Sequence, residues 1–312
     1  VAKIAFHSNQ LCLRGTEIAL FDYAKYNEEI LGNESVIFSF PNANMDALEK
    51  FKSRFNVVLH DFWNYESYCQ KNSIEYLYCI KMGSNDGFCL QNTKTLVHAV
   101  FQYNEPHGHR YAYVSDWLCR DQKMDVKTHS VPHMVYSFGD DRNMRDELGI
   151  PLSATVFGCY GGSTEFNIHY VHEAINNIIK QRNNIYFIFM NINKFIEHPQ
   201  VIFLPGSYDM YLKSKFINTC DAMLHARMSG ETFGLAVAEF SIKNKPVITC
   251  SDVSHRNHIE ILGDHGIYYN SYDTLYEILD NFTNKTTFEY SKLYTEYSSE
   301  NIMTKFHKVF LQ

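Results

Sequence analysis

Gly230-Glu231-Thr232-Phe233-Gly234-Leu235-Ala236-Val237-Ala238-Glu239 is the stretch whose pattern decides the fold. An apolar run at 222–225 precedes it, and Pro246-Val247-Ile248 opens another at 246–249. Between them the residues read as a glycine turn and then a helix beginning near Thr232. A strand, a turn, a helix and a second strand in that order form one repeat of a parallel α/β sheet.

The same alternation extends in both directions. Toward the C-terminal half, 155–159, 186–190 and 201–204 read as strands. Val171, Ile175, Ile178 and Ile179 supply the apolar face of one helix, and 209–219 form another. In the first half, 3–7, 35–40, 56–59, 76–80, 95–101 and 112–115 have strand character. Ile18, Phe21 and Ala24 mark a helix after the first of these, with Thr16 as its N-cap. The polar segment 140–151, ending in Gly-Ile-Pro, is the expected linker. The predicted architecture is therefore α/β, two Rossmann-like lobes facing across a cleft. Residues 1–145 form the first lobe and 146–298 the second, and a helix over 299–312 packs back on the first. Loops at the carboxyl ends of both sheets are where ligands of such sheets bind.

Composition narrows the function. The chain has 312 residues, 45 % hydrophobic and 20 % charged, which suits two globular cores and excludes a disordered chain. Net charge is −7 with no basic stripe, so neither nucleic acid nor an anionic membrane is an expected partner. Eight scattered cysteines form no C-x-x-C pair and read as free thiols of a cytoplasmic protein. No apolar run nears the roughly 18 residues of a membrane span, and Lys3 interrupts any signal peptide. Sequons at Asn33, Asn281 and Asn284 carry no weight in that compartment.

The chemistry concentrates in the opening stretch. Its two glutamates lie 239 − 231 = 8 positions apart, about 12 Å along a helix axis. That is the order of the span from a sugar ring across a diphosphate to a ribose. A carboxylate accepts paired hydrogen bonds from a vicinal diol, and backbone N–H groups at a helix start suit phosphate. Two solvated glutamates on an ordinary amphipathic helix are the bland alternative.

The whole segment resembles the family-4-like retaining glycosyltransferases of the GT-B fold, whose hallmark is Glu-x7-Glu around a Gly-Phe-Gly-Leu-like core. Glu231, Phe233-Gly234-Leu235, Glu239 and Pro246-Val247-Ile248 match it in order, and the likeness is specific over 155–269. The resemblance implies that Glu231 contacts the transferred sugar and that Glu239 holds the donor ribose. His225, Thr232, Phe233, Gly234 and Leu235 would line the donor site, with Gly15 from the first strand-to-helix turn. Relatives place an Arg and a Lys after the first strand of the donor lobe. Here that stretch contains Gly161-Gly162 instead, which would form a backbone anion nest or simply a tight turn. Arg227 is the nearest cation able to replace the missing pair, or else an arginine on the cleft rim paired with a surface carboxylate. Where relatives carry a histidine near the reacting sugar, this chain has Gln102, with His107 and His109 following. The His-x-His pair lacks a third ligand at a readable spacing, so no metal and no cofactor are expected. Val114-Ser115 resembles a further element of the acceptor lobe, or is simply a strand end with a serine cap.

The function expected from the resemblance is transfer of a hexose-like sugar from a nucleoside diphosphate sugar to a glycan or other hydroxyl acceptor. It would proceed with retention and without a metal ion. A nucleotide-sugar epimerase of the same fold, or a non-catalytic nucleotide-sugar- or glycan-binding protein, are the alternatives.

Overall fold

A computed structural model describes residues 1–283 and 287–312. The Asn284 sequon therefore lies outside the described residues. The chain divides into two compact units, Val1–Met134 with Glu296–Gln312, and Val135–Thr295.

The first unit is built on β1 (Lys3–His7), β2 (Glu34–Ser39), β3 (Asn56–Leu59), β4 (Tyr76–Lys81), β5 (Lys94–Ala99) and β6 (Arg110–Tyr113). All are parallel, in the order β3-β2-β1-β4-β5-β6. Strands covered on both faces need near-continuous apolar sequence, and Ile4, Ala5 and Phe6 of β1 are fully buried. The helix Gly15–Glu29 starts after Arg14, which caps it with extended backbone and no side-chain bond. Thr16 lies inside the helix, so the expected serine/threonine-type cap is absent. Ser115, by contrast, does cap the helix Asp116–Asp121, accepting from Leu118 N–H at 3.1 Å.

The helix Ser299–Phe306 and the π turn His307–Leu311 belong to this first unit. Phe306 stacks on Tyr23 at 5.4 Å, and Phe310 meets Tyr78 and His98 edge-on at 5.7 and 5.4 Å. His98 is itself fixed by the Tyr78 hydroxyl at 2.6 Å and the Val131 carbonyl at 2.8 Å. Aromatic rings on three separate elements thus tie the C-terminal helix into the core.

The second unit repeats the scheme with β7 (Thr155–Tyr160), β8 (Ile185–Met190), β9 (Val201–Leu204), β10 (Ala222–His225), the two-residue β11 (Gly230–Glu231), β12 (Val247–Cys250), the two-residue β13 (His255–Arg256) and β14 (Ile267–Tyr269). Its main sheet runs β14-β12-β10-β7-β8-β9, again all parallel, and β11 pairs with β13 beside it. Val171, Ala174, Ile175, Ile178 and Ile179 form the buried face of the helix His169–Gln181, as their spacing requires.

Residues 140–151 are not a linker. Arg145 is buried and donates to the carbonyls of Pro151, Leu152 and Ala154 and to Asp221 at 2.9 Å. The Asp140 carbonyl accepts from Ser214 and Asn218. Most of its residues are exposed, as polar composition implies, but Arg145 and the Asp140 carbonyl tie the segment to the body of the second unit. The unit boundaries accordingly fall at 134/135 and 295/296, not at 145/146 and 298/299.

Candidate functional site

In both sheets the connection direction reverses beside the first strand, between β1 and β4 and between β10 and β7. Loops leaving the carboxyl ends on either side of such a reversal part company and leave a crevice for a ligand. In the second unit those loops begin after Tyr160 of β7 and after His225 of β10. They are tied together: Asn167 N–H donates to the Ala226 carbonyl at 2.9 Å, and Met228 N–H to the Asn167 side chain at 2.8 Å. His225, Arg227 and Glu231 meet beside this point.

Glu231 sits in β11, not in a helix, and the helix starts only at Leu235. The span of about 12 Å derived for a continuous helix therefore does not apply. Two glycines produce this geometry. Gly230 has φ +72°, and a Cβ there would stand 2.1 Å from the His255 carbonyl oxygen. Gly234 is left-handed at φ 92°, ψ 58° and is the N-cap of the helix Leu235–Ile242. Only glycine adopts these conformations without strain. The Gly234 cap brings no side-chain bond, and Ala238 N–H is the first to be paired, with the Gly234 carbonyl. Thr232 and Phe233 are buried, and the Phe233 carbonyl accepts from Asn257 at 2.8 Å.

The Glu231 carboxylate is held on both oxygens. His225 Nε2 lies 3.1 Å from one and Arg227 donates to the other at 2.9 Å. Burial alone would raise its pKa, but the His225 hydrogen bond and the Arg227 charge outweigh burial and hold it at about 2. Glu231 is thus ionised at neutral pH. Behind it, His225 Nδ1 is 2.8 Å from the Thr249 hydroxyl, which is 3.2 Å from His258 Nε2. Burial and the neighbouring His225 lower the His258 pKa to about 3, so its ring is neutral. With His258 neutral, one arrangement of protons satisfies the row. His258 Nε2–H donates to Thr249, Thr249 donates to His225 Nδ1, and His225 Nε2–H donates to Glu231. It leaves His258 Nδ1 as a bare acceptor, the buried atom found without a partner. Thr249 and His258 escaped sequence reasoning, because they act only through His225.

Arg227 does not point a free charge into the crevice. Its Nε is 2.6 Å from a Glu165 oxygen, and its second ion pair is with Glu231. Burial would lower its pKa, yet the two carboxylates raise it above the usual value. The loop expected to hold the family's cations instead supplies the acid Glu165. Neither Gly161 nor Gly162 has a positive φ, so the nest form that alternates hands is absent there, and the pair lies in a bend leading into a turn.

Glu239 is buried in a separate cluster. Lys213, from the helix Met210–Thr219, donates to both its oxygens at 3.1 and 3.0 Å, and the Tyr160 hydroxyl donates to one. Nothing in the spacing of Lys213 or Tyr160 marked them in advance.

Gly15, Gln102 and His107 belong to the first unit. Gly15 opens the helix Gly15–Glu29. Gln102 donates to Asp121 at 2.8 Å. His107 Nδ1 is 2.7 Å from the Glu105 carbonyl and its Nε2 is 2.9 Å from the Lys81 ammonium. The lysine must donate there, so Nε2 is already engaged as an acceptor. Among the described residues no group of three or more His, Cys, Asp or Glu is arranged to hold a metal. No helix among them is long and apolar enough to cross a membrane.

No protein-family description and no curated protein matches the chain. Solved structures do. A complex of Anabaena HepE with UDP-glucose superposes with a TM-score of 0.70 at 14 % identity, over 99 % of this chain and 96 % of that one. A glycosyltransferase from Rickettsia africae gives 0.66 at 14 % identity, over 98 % and 94 %. The UDP complex of S. aureus MnaA gives 0.59 at 10 % identity, over 100 % and 98 %. With two all-parallel six-stranded sheets and these likenesses along its whole length, the chain has the two Rossmann-like units of the GT-B glycosyltransferase fold.

Proposed function

We propose that this protein is a glycosyltransferase that moves a hexose-like sugar from a nucleoside diphosphate sugar to a hydroxyl acceptor. The observation that carries the proposal is the ionised Glu231, held by His225 and Arg227, just ahead of the glycine-capped start of the helix Leu235–Ile242. A carboxylate fixed in this way accepts hydrogen bonds from sugar hydroxyls. The N–H groups of Leu235, Ala236 and Val237, which have no partner within the helix, favour phosphate oxygens. As the glycosidic bond breaks, negative charge grows on the diphosphate, and these dipoles with Arg227 stabilise it. The leaving phosphate oxygen takes the proton of an acceptor hydroxyl held on the same face of the sugar. That route gives retention and uses neither a protein nucleophile nor a metal ion. The likeness to HepE bound to UDP-glucose supports a nucleotide-sugar donor and makes UDP the first ligand to try. Acceptor choice is assigned to the first unit, around residues 102–110 and the loop after β1.

The test is a thermal-shift screen of UDP, GDP, ADP and their hexose conjugates, followed by an assay for nucleotide release. A ligand that binds only the native state raises the midpoint. Glu231→Gln should bind the plain nucleotide nearly as the wild type does while losing most turnover of the full donor. No stabilisation by any of these compounds would reject the proposal, and equal losses for nucleotide and donor would reject the role of Glu231. The likeness to the structure of a putative UDP-N-acetylglucosamine 2-epimerase from Listeria monocytogenes favours a second reading, a nucleotide-sugar epimerase. Conversion of the donor sugar with no acceptor present would establish it instead. Donor binding without transfer or hydrolysis across an acceptor panel would point to a binding protein.

A further inference from the structure

The loop after β7 brings an acid to the guanidinium of Arg227. Glu165 N–H donates to the Gly162 carbonyl at 2.9 Å and closes a tight turn. A Cβ on Gly162 would stand 2.8 Å from Glu165 Cγ, so the glutamate side chain lies across the bare glycine. In that pose Glu165 Oε2 is 2.6 Å from Arg227 Nε.

The two carboxylates that share Arg227 hold it differently. Nη1 donates to Glu231 at 2.9 Å, and His225 fixes the other oxygen of that carboxylate. The Nε–H is not aimed at Glu165, for it is buried and has no hydrogen-bond acceptor among the described residues. Contact between charges without an aligned hydrogen bond is the weaker hold. Glu165 is also the more open acid, its side chain 36 % exposed against 19 % for Glu231. It can turn out into water while Arg227 keeps Glu231 as a partner, so no buried charge is stranded. A phosphate oxygen at the same place carries comparable charge and can line up with the Nε–H.

We propose that Glu165 is a displaceable counter-ion of Arg227, whose place at Nε a phosphate oxygen of the donor diphosphate takes. Every anion that enters must first expel this carboxylate, so Glu165 weakens donor binding while the crevice is empty. This rests on the nucleotide-sugar reading above and adds to it a residue whose removal improves affinity.

Titration calorimetry of the full chain at low salt with UDP, GDP, ADP and inorganic pyrophosphate tests it. Glu165→Gln and Glu165→Ala should each tighten pyrophosphate, and every nucleotide that binds, by about fivefold or more, the worth of one half-exposed ion pair released. In an Arg227→Gln background the same changes should give no gain, because no cation remains to be freed. Unchanged or weaker binding in the Glu165 variants overturns the proposal. An equal gain in the Arg227→Gln background overturns it too, since Glu165 would then act only as a nearby negative charge. Nucleotide binding that ignores Glu165 removes this inference and leaves the proposed function standing. Pyrophosphate tightened by the Glu165 variants, with no nucleotide bound by any protein, does the reverse. No binding of any of these compounds overturns both.

Discussion

The guanidinium of Arg227 lies between Glu165 and Glu231, so its charge is shared before any ligand arrives. A diphosphate entering the crevice would compete with Glu165 for it. A planar guanidinium can keep one fork on Glu231 while the other turns to phosphate, which a lysine cannot do. Arg227→Ala should therefore lower turnover on the order of a hundredfold, the loss typical for one donor to developing charge. Arg227→Lys should recover only part of it, and EDTA should leave the wild type unaffected. Unchanged turnover in Arg227→Ala, or loss of activity with EDTA, would show that the diphosphate is neutralised by other means. At this scale the sequence pointed to Glu231 through the motif it resembles, and to His225 and Arg227 because they stand within seven positions of it. It could not point to Glu165, Thr249 or His258, whose contacts depend on strands meeting in space.

Among the elements, the pairing of β11 with β13 depends on a single glycine. A Cβ on Gly230 would meet the His255 carbonyl at 2.1 Å and Val253 at 2.8–2.9 Å, on a backbone already at φ +72°. Gly230→Ala should cost about 3 kcal/mol or more, the combined price of left-handed backbone and a clash with main chain. Gly161→Ala is the control. Its Cβ would meet nothing within 4 Å, so it should stay within about 0.5 kcal/mol of the wild type. Urea midpoints of the two variants decide the matter, and equal stabilities would contradict it. The apolar runs made most main-sheet strands legible, since a parallel strand buried on both faces must be apolar throughout. The two-residue strands β11 and β13 leave no such trace. Residues 140–151 misled for the complementary reason, because Arg145 pairs with Asp221 across 76 positions.

For the molecule as a whole, buried histidines set the response to acid. Burial lowers His7 and His98 from 6.5 to about 4 and His258 to about 3, and carries His133 well below its usual value. Between pH 6.5 and these folded values the unfolded chain holds protons that the native chain does not. Stability from these groups is therefore fully present above about pH 6.5 and is lost as the pH falls toward 4. Glu231, lowered from 4.5 to about 2, adds a loss that begins only near pH 4.5. Each of His7 and His98 contributes on the order of 3 kcal/mol across its window. The thermal midpoint should hardly change above pH 7 and fall by about 10 °C or more between pH 7 and 5. A profile flat down to pH 4.5 by scanning calorimetry would refute this account.

The order of strands and helices, the two-unit plan and the glycine-capped loop bearing Glu231 follow from residues near one another in the chain. Burial of apolar runs and the left-handed freedom of glycine are local constraints, so a linear pattern records them. Which charges are free is not a local property. Whether Arg227 or Glu239 faces a ligand depends on whether Glu165, Lys213 and Tyr160 reach it from other elements. A desolvated charge takes its partner wherever the fold supplies one, and only the tertiary structure supplied those.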